Sequence, residues 1–309
     1  MSICVWIIII LCILFLGYIL FHSSENYYKY PKVAIATMTK QPVDFSVWLD
    51  YHLNQLGVNH IFLRVENTPE LENILSTYDS NRVTYVMEND VNNKNTYDNQ
   101  QDRQNKFLQD CIKTCKQKGI DFLLHIDDDE LFMISSQYKH IQDFFYTIPE
   151  NIDNIHFINV EAVYPNDQMS SCFSTNKFIN CSKGGCKSYA NGKSAGLVTN
   201  RLRPRGPHYF NGKSKNISIN HACVLHFESC NFDKWYQKFS NLSNLDDKVY
   251  NNIPFNYYKN SIDFIKNCFN KKNKQSCKID AKNYWKENKI DPYHSKPNLI
   301  TINRHIKKN

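Results

Sequence analysis

The chain has 309 residues, 42% of them hydrophobic and 14% aromatic, which excludes a disordered protein and allows one large or two small domains. Its formal net charge of +7 comes from lysines spread along the chain, with clusters only at Lys271–Lys278 and Arg304–Lys308. Without a basic stripe or a recognisable module, this charge argues against nucleic-acid binding and for a solvated surface.

The chain opens on an uncharged apolar run, Ile3–Phe21, long enough at ~1.5 Å per residue to cross a bilayer core. Trp6 and Tyr18 stand near its ends, where interfacial aromatics belong. Residues 1–24 therefore read as a single-pass transmembrane anchor. A cleaved signal peptide is the alternative, but the run lacks a basic start and a small-residue cleavage site. Glu25–Pro31 reads as a short stem.

From Lys32 the pattern alternates between strands and helices. Val33–Ala36 is a short buried strand. Phe45, Trp48, Leu49, His52, Leu53 and Leu56 then share one helical face, with Asp44 to start the helix and Gly57 to end it. Val58–Val65 is a second strand, Pro69–Tyr78 a short helix and Arg82–Met87 a third strand. Asn89–Gln101 reads as a loop and Asp102–Lys118 as a helix ended by Gly119. This order predicts an α/β fold with a mostly parallel central sheet flanked by helices.

The stretch Asp121–Phe132, DFLLHIDDDELF, carries the chemistry. An apolar run passes into four consecutive acids and returns to apolar residues. Read as a fourth strand ending in carboxylates, it puts Asp127 and Asp129 on one face and Asp128 on the other. Paired carboxylates repel unless a cation or donors lie between them. Oxygen-only ligands suit Mg2+ or Mn2+, which at the carboxyl end of a strand can hold a diphosphate. A solvated acidic turn is the plainer reading of the same string.

Beyond the acids, Tyr138–Phe145 reads as a helix, Ile155–Val163 as a strand and Asp167–Lys193 as an irregular insert. Ala222–Phe227 is another strand, Phe232–Phe239 a short helix, and the segment from Asn241 a partly helical extension. Nine cysteines follow the apolar run, an odd number with no zinc-like spacing. Cys172, Cys181, Cys186, Cys223 and Cys230 crowd one region, and Cys268 and Cys277 can close a short loop. Disulfides and reduced buried thiols both remain open.

Three segments in this order resemble a GT-A glycosyltransferase of the family 2-like or family 92-like groups. They are VAIATM with VDFSVWLDYHLNQLGVNHIFLRVEN, then HIDDDELF, then VLHFESCNFDKWYQKF, together covering Lys32–Phe239. The resemblance implies a Rossmann-like GT-A domain over 32–240, with 241–309 as an extension. It implies that Asp127 and Asp129 hold Mn2+ or Mg2+ and, through it, a nucleotide-sugar donor, most simply a UDP-sugar. His226 is implied as a third ligand or a diphosphate donor, and Glu130 as a residue that orients the cluster or binds the acceptor. His208 is a looser acceptor-site candidate, and Lys238 a looser phosphate partner.

Thr37 and Thr39 after the first strand, and Glu66 at the end of the second, are placed to meet the nucleotide. An inverting transferase also needs a general base. Glu161, Asp167 and Glu228 are the candidates, with Glu161 ranked first. The function so implied is transfer of a sugar to a glycan or glycoprotein acceptor by a membrane-anchored enzyme. Its domain would lie on the lumenal side of an ER- or Golgi-like membrane, or at a host or virion membrane if the gene is viral. A degenerate module that binds nucleotide-sugar or glycan without turnover is the main alternative.

Overall fold

The computed structural model describes residues 30–89, 91, 97–165, 169, 171–181, 186, 190–253, 255–271, 274–291 and 299–303, with backbone only at 97–99, 248 and 274. The expected anchor, nearly all of the expected stem, and Asp167 lie outside the described residues. Among the described residues no helix is long and apolar enough to cross a membrane. Pro31–Asn309 forms one compact unit, distinct from Met1–Tyr30.

The first sheet has seven strands. They are β1 (Val33–Thr39), β2 (His60–Glu66), β3 (Val83–Glu88), β4 (Phe122–His125), β6 (Asn154–Phe157), β9 (Lys193–Leu197) and β12 (Ser214–Ile217). Their spatial order is β12-β6-β9-β4-β1-β2-β3. β1 to β4 run parallel, as the alternation of strands and helices predicts. β9 is antiparallel to both β4 and β6, so the sheet as a whole is mixed. The chain leaves β1 towards β2 and β3, then returns to place β4 on the other side of β1. That reversal puts the carboxyl ends of β1 and β4 at the position where sheets of this kind usually form their ligand crevice.

The second sheet has five strands, ordered β14-β8-β7-β13-β5. They are β5 (Glu130–Ile134), β7 (Asn159–Ala162), β8 (Lys177–Asn180), β13 (Ala222–His226) and β14 (Leu299–Thr301). The expected strand Ile155–Val163 is in fact two. It breaks at Ile158 and passes from the first sheet into the second, which joins the two layers. The expected irregular insert contributes β8, and Lys193 at its end opens β9. A small hairpin, β10 (Pro204–Arg205) with β11 (Tyr209–Phe210), covers the face of β4 and β9.

Helix α1 (Phe45–Asp50) runs on into a wider turn at Tyr51–Gln55 and buries Phe45, Trp48, Leu49 and Leu53. Helix α2 is Leu71–Leu75. Helix α3 spans Tyr97–Lys118, beginning before the expected Asp102. It packs Leu108, Cys111, Ile112 and Cys115 against Ala34, Ala36 and Leu123. After α4 (Ile141–Tyr146) come α5 (Phe232–Leu242), α6 (Asp247–Asn252), α7 (Asn256–Lys271) and α8 (Lys274–Trp285). The last two of these, with the turn Lys286–Ile290 that follows them, carry Tyr257, Ile262, Trp285 and Ile290 into the same core as both sheets. Disulfides join Cys172 to Cys230, Cys181 to Cys186 and Cys268 to Cys277, while Cys111, Cys115 and Cys223 are buried thiols.

Candidate functional site

The acids do not continue strand β4, as the sequence pattern implies. β4 stops at His125, and Asp127–Asp129 form a turn that leads directly into β5. The turn is closed by its own last residue. Glu130 N–H donates to the Asp127 carbonyl at 3.2 Å, and Asp127 N–H donates to Glu130 Oε2 at 2.7 Å. Glu130 is fully buried. Burial raises its carboxyl above the ordinary range, with the Asp127 and Asp129 charges adding to the rise and Lys193 opposing it. Its position is that of a residue orienting the turn.

Both neighbouring strands grip the turn. Thr37 at the end of β1 donates to the Ile126 carbonyl at 3.0 Å, and Thr39 donates to Asp128 Oδ2 at 2.5 Å. Asp128 therefore faces β1 across the crevice. Burial, then the Asp129 charge, pushes its carboxyl up. On the far side Phe227 N–H donates to the Asp129 carbonyl at 2.8 Å. The β13–β5 register sets His226 opposite Glu130, and His226 Nε2 lies 3.7 Å from Asp129 Oδ2. Burial alone lowers the imidazole pKa, but Asp129, with Glu130 and Glu161 behind it, raises it above its ordinary value.

Asp127 has a partner that the sequence did not disclose. Lys193 Nζ lies 2.5 Å from Asp127 Oδ2 and 3.6 Å from Glu130 Oε2, and the lysine side chain is fully buried. Burial works against the Asp127 charge, yet Lys193 and then His125 hold its carboxyl well below the ordinary range. Gly192 makes the approach possible. Its φ of +63° and a Cβ that would sit 2.0 Å from the Phe157 carbonyl oxygen leave room only for glycine. His208 donates from Nδ1 to the Gly192 carbonyl at 2.8 Å, and His125 from Nδ1 to the Pro207 carbonyl at 2.8 Å. Burial lowers both imidazoles to about 4, so each is neutral near pH 7. Among the described residues, buried His125 Nε2 has no hydrogen-bond partner.

Among the described residues β5 lies at the edge of its sheet, so its outer backbone groups have no strand beside them there. Helix α1 supplies the missing partners. Trp48 Nε1 donates to the Glu130 carbonyl at 2.6 Å, and the Tyr51 hydroxyl to the Phe132 carbonyl at 3.0 Å. Phe132 N–H donates to His52 Nε2 at 3.1 Å, while His52 Nδ1 donates to the Trp48 carbonyl at 2.9 Å. Burial holds His52 at about 3, so it is a neutral acceptor throughout the working range. The Trp-x-x-Tyr-His spacing thus staples the strand that follows the acids.

Asp127, Asp129, Glu130 and His226 lie together at the turn. Thr37 is buried and spent on Ile126, which corrects its reading as a nucleotide contact. Glu66 is corrected likewise. It is buried and receives Arg103 Nε at 2.7 Å, Arg103 Nη2 at 2.9 Å and Arg64 Nε at 2.9 Å. Burial raises its carboxyl, but the two guanidiniums win and hold it below the usual range. Glu161 is sealed in the interior against the Lys289 ammonium and is held as a carboxylate of lowered pKa, against the push of burial. That placement corrects its ranking as general base, because a base must reach an acceptor hydroxyl. Glu228 is buried between Lys289 at 3.4 Å and Lys238 at 3.1 Å, which also accounts for Lys238.

Asp127 and Asp129 keep 32% and 37% of their side chains exposed at the crevice. Two hard carboxylates match the donor preferences of Mn2+ or Mg2+, whereas an imidazole such as that of His226 suits softer ions better. They are not drawn into a compact cage. Among the described residues only Glu161, Cys181 and Cys186 cluster that tightly, and those cysteines are bonded to each other. The fit to a divalent ion is therefore one of donor chemistry, with Lys193 already beside one ligand.

A mixed α/β protein with an acidic crevice at its strand-order reversal is the class the geometry defines. Two Arabidopsis thaliana proteins named glycosyltransferase-like are similar to it. They are 25% and 23% identical over 263 residues, covering 71% of this chain and 56% and 50% of theirs. The chain thus spans about half the length of the curated relatives it matches. No protein-family model matches. Among solved structures, 4-diphosphocytidyl-2C-methyl-D-erythritol synthase from Anaerococcus prevotii shares 12% identity, over 84% of this chain and 100% of that one. UDP-glucose pyrophosphorylase in complex with UDP-glucose shares 8%, over 67% and 99%. Both have a TM-score of 0.27, too loose for either likeness to bear on fold or function.

Proposed function

We propose that this protein is a glycosyltransferase of the GT-A type that uses a nucleotide-sugar, most simply a UDP-sugar, and a glycan or glycoprotein acceptor. The observation that carries the reading is the acidic turn. Two part-exposed aspartates project at the β1/β4 crevice, in a chain similar over most of its length to proteins named glycosyltransferase-like.

Asp127 and Asp129 would hold Mn2+ or Mg2+, with His226 as the nearest nitrogen donor. When bound, the ion supplies Lewis-acid stabilisation of charge on the leaving diphosphate. Glu130 and the Trp48–Tyr51–His52 staple keep the turn in one geometry, and Thr39 keeps Asp128 turned towards β1. The three disulfides support an oxidising compartment, and hence a lumenal domain behind an N-terminal anchor at Ile3–Phe21.

The test is donor hydrolysis and transfer, measured with and without Mn2+. Asp129→Asn should lower kcat/KM by roughly 10²-fold or more, the scale of several kcal/mol of charge stabilisation. Wild-type turnover in that variant would refute the mechanism. Tight UDP binding without turnover over a broad donor and acceptor panel would instead establish a binding module.

A further inference from the structure

Lys193 opens β9, and its side chain is fully enclosed. An ammonium in such a place is costly unless carboxylates meet it. Here it lies 2.5 Å from Asp127 and 3.6 Å from Glu130, and Gly192 fixes where its stem begins. The pair is lopsided. The cation is sealed, whereas the carboxylate in front of it is about a third exposed to the crevice. A fixed positive charge therefore backs the very group expected to take an ion.

Taking the acidic turn as the ion and diphosphate site proposed above, we propose that Lys193 is its resident cation. It is a positioning residue that makes divalent-ion binding at Asp127 and Asp129 conditional on an anionic diphosphate arriving with the ion. In the nucleotide-free protein Lys193 already neutralises Asp127. An incoming divalent ion meets an ammonium that has no path into water, and like charges repel strongly where water is excluded. A nucleoside diphosphate brings negative charge that offsets both cations together. Ion and nucleotide then load as a pair, each raising the affinity of the other by the same factor. The same lysine keeps four adjacent carboxyls from driving the turn apart between turnovers.

The experiment measures Mn2+ binding to the full chain by the spin-resonance signal of free Mn2+, alone and with saturating UDP, corrected for association of Mn2+ with free UDP. Lys193→Met is expected to bind Mn2+ alone about tenfold tighter than wild type, and UDP is expected to tighten it correspondingly less. Equal affinity for Mn2+ alone, with UDP binding retained in both proteins, overturns the proposal and leaves the transferase reading standing. Failure of both proteins to bind Mn2+ or UDP overturns both.

Melting of Asp127→Asn in EDTA gives an independent answer, even if Lys193→Met does not fold. An acidic cluster without a resident cation is stabilised when one of its charges is removed. A turn built on Lys193 is destabilised, because the ammonium loses its nearest partner. A lower melting temperature supports the proposal, and a higher one overturns it.

Discussion

Two buried lysines organise this molecule, and each sits between two carboxylates. Lys193 faces Asp127 and Glu130; Lys289 faces Glu161 and Glu228. Composition is nearly the same, and the surroundings differ. Around Lys289 both carboxylates are sealed: Lys289 and Glu161 have no exposed side-chain surface, and Glu228 has 2%. Around Lys193 one partner, Asp127, opens onto the crevice at 32%. A sealed ionic group can only hold elements together. Lys289 ties the turn after α8 to β7 and to the segment after β13, linking the C-terminal helices to the second sheet. An ionic group with one open carboxylate can also exchange partners with a ligand.

The sharpest way to break this comparison is to remove the sealed cation. Lys289→Met leaves Glu161 buried without its partner, an error that costs about 3–5 kcal/mol. Thermal unfolding should drop by roughly 2–4 °C for each kcal/mol in a domain of this size. The pH dependence should also change sign. In wild type the Glu161 carboxyl titrates below its ordinary 4.5, so its contribution is intact above that value and lost as pH falls through the lowered one. Lys289, Glu228 and His226 are the charged groups that set this value. In the variant, burial acts unopposed by Lys289 and raises the Glu161 pKa. Acidification from pH 7 towards 5 should then stabilise the variant relative to wild type. A loss under about 1 kcal/mol, with no change in slope, would show that the two lysines do not differ as argued.

A second, smaller effect tests whether the open site is held from outside. His52→Leu removes the acceptor for Phe132 N–H on the edge strand. A buried donor left unmet costs about 1–3 kcal/mol. Amide exchange at Phe132 should quicken well beyond that at Leu124 in β4, because the damage is local to β5. Uniform quickening across both strands would mean that the helix supports the whole core and not the acidic turn in particular.

The sequence disclosed the parallel half of the first sheet, because each of its strands is a short apolar run between helices with a clear period. It also pointed to the acids, whose density in an apolar context is conspicuous. It hid their partner. Lys193 follows an Asn- and Gly-containing stretch that reads as surface, and only Gly192 before it hints at a close backbone approach. Glu66, Glu161 and Glu228 looked like available acids for the same reason in reverse. Arg103 lies 37 residues from Glu66 and Lys289 lies 128 from Glu161, and no local pattern reports a pairing made by tertiary packing. Trp48 and His52 are legible as part of a helical face and Tyr51 is not, and the hydrogen bonds of all three depend on β5 being an edge strand, a fact of topology alone.

The smallest expected effect closes the contrast between sealed and open charge. Lys238 pairs with Glu228 at 3.1 Å and with the Tyr258 hydroxyl at 2.6 Å, yet 38% of its side chain is exposed. Its pKa is raised against the pull of burial, chiefly by Tyr258 and Glu228, but solvent screens such a group. In Lys238→Met, Glu228 still has Lys289 at 3.4 Å, and half-buried Tyr258 can turn its hydroxyl to water. The loss should therefore stay below about 1 kcal/mol, and added salt should shrink it further. If Lys238→Met cost as much as Lys289→Met, the decisive variable would be the number of cations around Glu228 and not their burial. The role of Lys193 would then be decided by its binding measurements alone.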